Sequence, residues 1–147
     1  MEIVQPPGIQ PFRLRYECAL NMNRICASGA LYHKKVSSYP VAVEWCDAVM
    51  RERTNTLYVK EEEMRGWFKC PGARTGDCHY GLNSNCKLDS PADMVLLFET
   101  KAGWNQHGGP EQFTFDNHDP KGGCVLLNDG TVKFIRTKEE LQQLRWK

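Results

Sequence analysis

The chain contains no apolar run of membrane-spanning length. Its opening Met-Glu-Ile-Val-Gln-Pro-Pro-Gly lacks both the basic start and the hydrophobic stretch of a secretory leader. The expectation is a chain with no membrane segment of its own. An excess of charge is missing as well: 19 Lys and Arg face 18 Asp and Glu, for a formal net charge of +1. Such a balance builds no field that would gather nucleic acid or an anionic surface. There is no Cys-x-x-Cys pair, so neither covalent haem attachment nor the close ligand pairs of common zinc modules can be read. No nucleophile motif, internal repeat, low-complexity tract or interdomain linker is present. A non-enzymatic domain is expected.

What the sequence does have is the composition of an ordinary folded domain, with 41% hydrophobic and 25% charged residues in 147 positions. At that length one core suffices, and roughly two-thirds of the unfolded chain's surface can be buried. It also has seven cysteines. Reducing compartments keep such a set unpaired, so the count points to an exported, periplasmic or cell-surface protein with cross-links. The odd number leaves one thiol either buried as a small hydrophobe or reaching another chain.

Residues 1–11 carry three prolines and read as an extended lead-in to a single domain over 12–147. From Phe12 to about Ser37, Leu14, Cys18, Met22, Ile25, Gly29, Tyr32 and Val36 recur at helical spacing, predicting a long first helix. Pro40 then suits the first turn of a second helix to about Arg53, whose Val41, Trp45, Cys46 and Val49 share a face, with Trp45 as anchor against the first helix. The stretch 54–68 reads as a short connector, irregular or helical. Residues Cys70 to Ser90 show no periodicity and read as a loop that needs cross-links. Met94 to Glu99 predicts a buried strand. Cys124–Leu127 and Val132–Ile135 predict a hairpin whose Asp129-Gly130 suits a type I′ turn. Thr137-Lys-Glu-Glu140 is a capping box that opens a short C-terminal helix. Helices before strands make an α+β fold, a long helix packed on an antiparallel sheet.

Cys70, Cys78 and Cys86 lie eight residues apart in the loop and are candidates for a Cys70–Cys78 or Cys70–Cys86 bridge. The same three could hold zinc only with His79 as the further ligand. Cys18 and Cys26, about 12 Å apart along the helix axis, cannot bridge each other. Asp116 and Asp119, beside His118, offer oxygens that calcium could use, although turn hydrogen bonds account for the same residues. Trp104 and His107-Gly-Gly fit a turn between strands and are assigned no site.

Three segments carry a family resemblance. Cys18-Ala-Leu-Asn-Met-Asn-Arg-Ile-Cys26, running on to Ser37-Ser-Tyr-Pro40, is similar to the soluble half of a pilin helix and its Tyr-Pro stop. Trp67-Phe-Lys-Cys70-Pro-Gly72, followed by His79-Tyr-Gly-Leu-Asn83, resembles a Phe-x-Cys-Pro segment and the Tyr-Gly-x-Asn strand after it. His118, then Gly122-Gly-Cys-Val-Leu-Leu-Asn-Asp129-Gly130-Thr-Val, resembles the closing His and Asp-Gly segment of the prepilin-like proteins abundant in planctomycetes. The chain thus resembles the globular head of a type II secretion pseudopilin over about residues 17–146. The family's membrane-inserting helix and its processing site have no counterpart in this sequence. The resemblance implies a protein-binding head of a secretion or pilus-like filament, with filament subunits, other exported proteins or further copies of itself as partners. The alternative is a soluble exported accessory or assembly protein docked on a larger periplasmic complex.

Overall fold

The computed structural model describes residues 10–27, 38–56 and 59–147. Helix α1 spans Gln10–Ala27, α2 Trp45–Thr56 and α3 Glu61–Trp67. Strands β1 (Tyr80–Asn83), β2 (Val95–Glu99), β3 (His107–Gly108), β4 (Gly123–Leu127) and β5 (Val132–Ile135) follow, and α4 (Lys138–Gln142) closes the chain. The expected α+β class is observed. The expected extension of the first helix from 28 to 37 lies outside the described residues, as does the lead-in before residue 10. The helix already includes Gln10 and Pro11, so it starts ahead of the expected Phe12.

The five strands form one sheet in the order β3-β1-β2-β4-β5. It is mixed, where an antiparallel one was expected. The pairs β1–β2, β2–β4 and β4–β5 are antiparallel, but β3 runs parallel to β1 with Leu82 opposite His107. No sequence pattern marks a two-residue edge strand. A register shift between Val95 and Leu97 on β2 inserts a bulge. Two consecutive residues, Leu96 and Leu97, consequently pack into the helix-side core, while Val95 and Phe98 join the opposite one. The bulge also leaves Glu99 on the helix side, one step beyond Phe98.

The larger core lies between the helices and the sheet and contains Cys18, Met22 and Ile25 of α1, Trp45 and Val49 of α2, Met64 of α3, and Tyr80, Leu97 and Leu126 of the sheet. The smaller one covers the far face, where Trp146 meets Phe98 edge-on at 5.1 Å and is backed by Val125, Ile135 and Leu141. Trp45 is held by Phe68, with ring centroids 5.9 Å apart, and donates to the Gln106 carbonyl at 2.7 Å. Val41, expected on the buried face, is 63% exposed because a 3-10 turn (Ala42–Glu44) intervenes and α2 proper starts only at Trp45. Asn105 reaches across from the loop before β3 and accepts the Cys46 amide at 2.8 Å, capping the start of α2 from a distance. It adopts a φ of 61°, a left-handed conformation that asparagine tolerates.

Three local expectations need correction. The 70–90 stretch is not a cross-linked loop throughout, because it contains the wholly buried β1 at Tyr80–Asn83, the segment that the resemblance reads as a strand. It is ordered by hydrogen bonds, His79 N–H to the Phe68 carbonyl at 2.9 Å and Ala73 N–H to the Cys70 carbonyl at 3.0 Å. The β4–β5 turn is not type I′, which needs two residues with positive φ. Only Gly130 has one there, at 90°, and its N–H meets the Leu127 carbonyl at 2.9 Å, a type I turn closed by a glycine bulge. Thr137 does cap α4 by accepting the Glu140 amide at 3.1 Å, but Glu140 reaches past it to the Arg136 amide. Among the described residues no helix is long and apolar enough to cross a membrane.

Phe98 is fully buried between β1 and Trp146. Phe98→Ala is therefore expected to lower stability by about 3–5 kcal/mol, whereas Val43→Ser, at an exposed position, stays within about 0.5 kcal/mol. Urea unfolding followed by tryptophan fluorescence reads both.

Candidate functional site

Four separate segments send polar side chains to one point beneath α1. Cys18 comes from the middle of that helix, Glu99 from the end of β2, His118 from the loop before β4, and Cys124 from β4 itself. All four are buried, and their ligand-capable atoms lie within 4.8 Å of one another. Cys70, from the segment after α3, adds a third thiol, with its Sγ 3.4 Å from His118 Nε2.

The centre is organised around Glu99. Its Oε1 and Oε2 lie 3.0 and 3.1 Å from His118 Nε2. The Cys124 backbone N–H donates to Oε2, and Asn117 Nδ2 donates to Oε1 at 3.4 Å and to the Thr100 carbonyl at 3.0 Å. A carboxylate taken fully out of water needs this density of donors, since the uncompensated charge would cost several kcal/mol. His118 in turn stands edge-on to Phe134 at 5.3 Å, and Arg15 covers that ring at 4.1 Å. Gly72 packs so closely on the Asn117 carbonyl that a Cβ there would overlap it, which ties the Cys70 segment to the His118 loop.

The local field separates the thiols. Burial pushes the Cys18 thiol well up, with Cys124 and Cys70 adding to the effect. The hydrogen bond from Cys18 holds Cys70 below its ordinary value despite burial, and His118 adds to it. Burial pulls His118 down, but Cys70 and Glu99 outweigh it and raise the imidazole to about 10. The Tyr80 hydroxyl sits 3.3 Å from Cys18 Sγ and is itself pushed up by burial and by Cys18. The arrangement is not a nucleophile relay. Cys70 and Glu99 share the same imidazole nitrogen, whereas a relay places nucleophile and carboxylate on opposite ones. Cys70 is also only 1% exposed.

The cross-link candidates are placed apart. None of the seven cysteines is bridged, and all are buried. Cys70 turns to His118, Cys78 lies 3.8 Å from Cys46 Sγ to Sγ, and Cys86 points at the Lys87 carbonyl. Burial raises the Cys46 thiol far above its ordinary value, with Cys78 reinforcing the shift, which disfavours the thiolate form. Nor is His79 a ligand for that trio. Its Nδ1 accepts the Cys70 amide at 3.0 Å and its Nε2 meets the Thr75 carbonyl at 2.7 Å, so both ring nitrogens are committed to the backbone. The calcium candidates Asp116 and Asp119 are not assembled either: Asp116 pairs with Lys121 at 3.4 Å, both exposed, and Asp119 is exposed ahead of Pro120. The grouping of Cys18, Glu99, His118 and Cys124 is the only one of three or more such ligands found among the described residues. Of the family-motif positions, His118 is at the centre, while Asp129 and Gly130 form the hairpin turn.

Sequence reasoning passed over Glu99 and Cys124. Both end or begin continuously buried strands, where polar residues normally mark the emergence of the chain into solvent. The usable signal was an acidic residue directly following Val-Leu-Leu-Phe in a strand buried on both faces. No family model matches the chain, and no curated protein or solved structure matches it.

Glu99→Gln removes the charge while keeping the shape, leaving His118 without its counter-charge. It is expected to destabilise the fold by about 3–5 kcal/mol. Glu99→Leu combined with His118→Leu should be markedly less destabilising than the sum of the two single replacements, because pairing is then no longer required. A thermodynamic cycle by urea unfolding measures this, and strict additivity would contradict the pairing.

Proposed function

We propose that this chain is a non-enzymatic protein-interaction domain, a pseudopilin-like head that docks on a neighbouring subunit of a type II secretion or pilus-like filament through the outer face of α1. The observation that carries the reading is the aromatic pair Phe12 and Tyr16, one helical turn apart and 65% and 64% exposed. Isolated exposed apolar residues are ordinary on any surface. Two rings in register beside a groove are the anchor chemistry of interfaces.

The groove, about 510 Å³, runs between α1 and the segment Gly66–Pro71, with Tyr16 at its wall. Its charged lining is Arg13, Arg24 and Lys69 against Glu17, and Arg13 is already paired with Glu17 at 3.1 Å. The remaining positive sign comes from Arg24 and Lys69. An amphipathic helix with acidic residues flanking its apolar stripe complements such a surface.

The resemblance supports the same reading in a second way. His118 lies in the interior and Asp129-Gly130 in a tight turn, so the motif positions hold the head together. The partner-facing work is then left to the surface of α1. An exported location belongs to this proposal and rests on the family resemblance, since the thiols give it no cross-links.

A photo-reactive amino acid at Tyr16 in the native cell is expected to cross-link to a filament subunit, while the same group at Lys133, on the sheet's far edge, does not. Phe12→Ser with Tyr16→Ser should weaken capture of that subunit roughly tenfold or more and leave the melting temperature within a degree or two. Equal cross-linking from both positions would contradict the assignment.

A further inference from the structure

We propose that the buried centre is a binding site for one zinc-class divalent metal ion, held by Cys18 Sγ, Cys124 Sγ, His118 Nε2 and a Glu99 oxygen, with Cys70 as a fifth donor at its edge. The site is independent of the surface invoked for partner docking.

The dimensions fit. Zinc–ligand bonds of about 2.0–2.3 Å in a tetrahedron separate neighbouring ligands by roughly 3.3–3.8 Å. Here the four donor atoms all lie within 4.8 Å of one another, and the His118 to Glu99 and His118 to Cys70 separations are already 3.0 and 3.4 Å. Small side-chain rotations close the remainder.

The donor chemistry selects the ion. Thiolates with an imidazole favour zinc and disfavour calcium or magnesium, which take all-oxygen shells. The outer contacts resemble those that orient metal ligands. Glu99 is fixed by the Cys124 amide and Asn117, and Cys18 by the Tyr80 hydroxyl, which can donate to its sulfur. The ligands are also spread along the chain from residue 18 to residue 124, so an ion here joins α1 to both β2 and β4.

Binding is an acid–base exchange with no redox step. Each coordinating thiol gives its proton to solvent as a sulfur–metal bond replaces a metal–water bond, and His118 gives up its Nε2 proton to coordinate as the neutral imidazole, the displaced waters leaving to solvent. Because every ligand is buried, uptake accompanies folding.

The full chain, reduced and unfolded in urea, is refolded with zinc sulfate, desalted and assayed for metal by mass spectrometry. One zinc per chain is expected, with a melting temperature roughly 5–10 °C above the metal-free protein at hundredfold excess over Kd. Cobalt(II) in place of zinc should give the visible absorption and thiolate charge-transfer bands of a tetrahedral site. Cys124→Ser and Cys18→Ser should lose the metal, while Cys86→Ser, remote from the centre, retains it. Since the first two variants also remove core thiols, alkylation of the wild-type protein in moderate urea gives a separate reading: zinc should protect Cys18 and Cys124 far more than Cys86. Substoichiometric zinc with an unchanged melting temperature, retention by Cys124→Ser, or equal alkylation of all thiols would each overturn the proposal.

Discussion

Glu99 brings a carboxylate to a point where no water reaches it, and the surrounding structure is built to answer that group. The imidazole of His118, the amide of Cys124 and the side chain of Asn117 all converge on its two oxygens. The donors come from the Asn117-His118 loop and from β4, and the thiol of Cys18 adds α1 to the same point. Replacing such a centre with apolar side chains is often neutral in stability, whereas the intact centre constrains how its neighbours pack. Only one register of β2 against β4 places Cys124 N–H on Glu99, and only one seat of α1 places Cys18 beside it.

That register depends on the β2 bulge. Without the extra residue at Leu96, regular alternation from Val95 would put Glu99 on the same face as Val95, away from α1. The bulge left no mark in a run of five apolar residues, Met94 to Phe98. Nor did the parallel edge pairing of β3, since two residues are too few to show a period. The hairpin, the capped C-terminal helix and the helix-before-strand order were legible, because Asn-Asp-Gly, Thr-x-x-Glu and apolar spacing are short-range signals with local causes. The turn type was not, since Asp-Gly serves both a type I′ turn and a type I turn with a glycine bulge, and the alignment of the flanking strands decides between them.

The cysteines show the same limit. Counting seven of them in a short chain favours cross-links, and even spacing in a loop sharpens that reading. Burial decides otherwise: Cys46 and Cys78 pack together as small hydrophobes, and Cys18, Cys70 and Cys124 surround an imidazole that is 100 residues from Cys18 in sequence. Of the candidate centre, His118 and Cys70 were marked in the sequence for other reasons. Glu99 and Cys124 were hidden in strands, and only the sheet brings them together.

The keystone role of Glu99 can be read at a single amide. If the Cys124 N–H is locked onto the buried carboxylate, its hydrogen exchange in the intact protein should occur only through global unfolding, with the urea dependence of the whole transition. Exchange at the rate of the Asp129-Gly130 turn amides, or with a shallow urea dependence, would show that β4 opens locally and that the fold does not hang on Glu99.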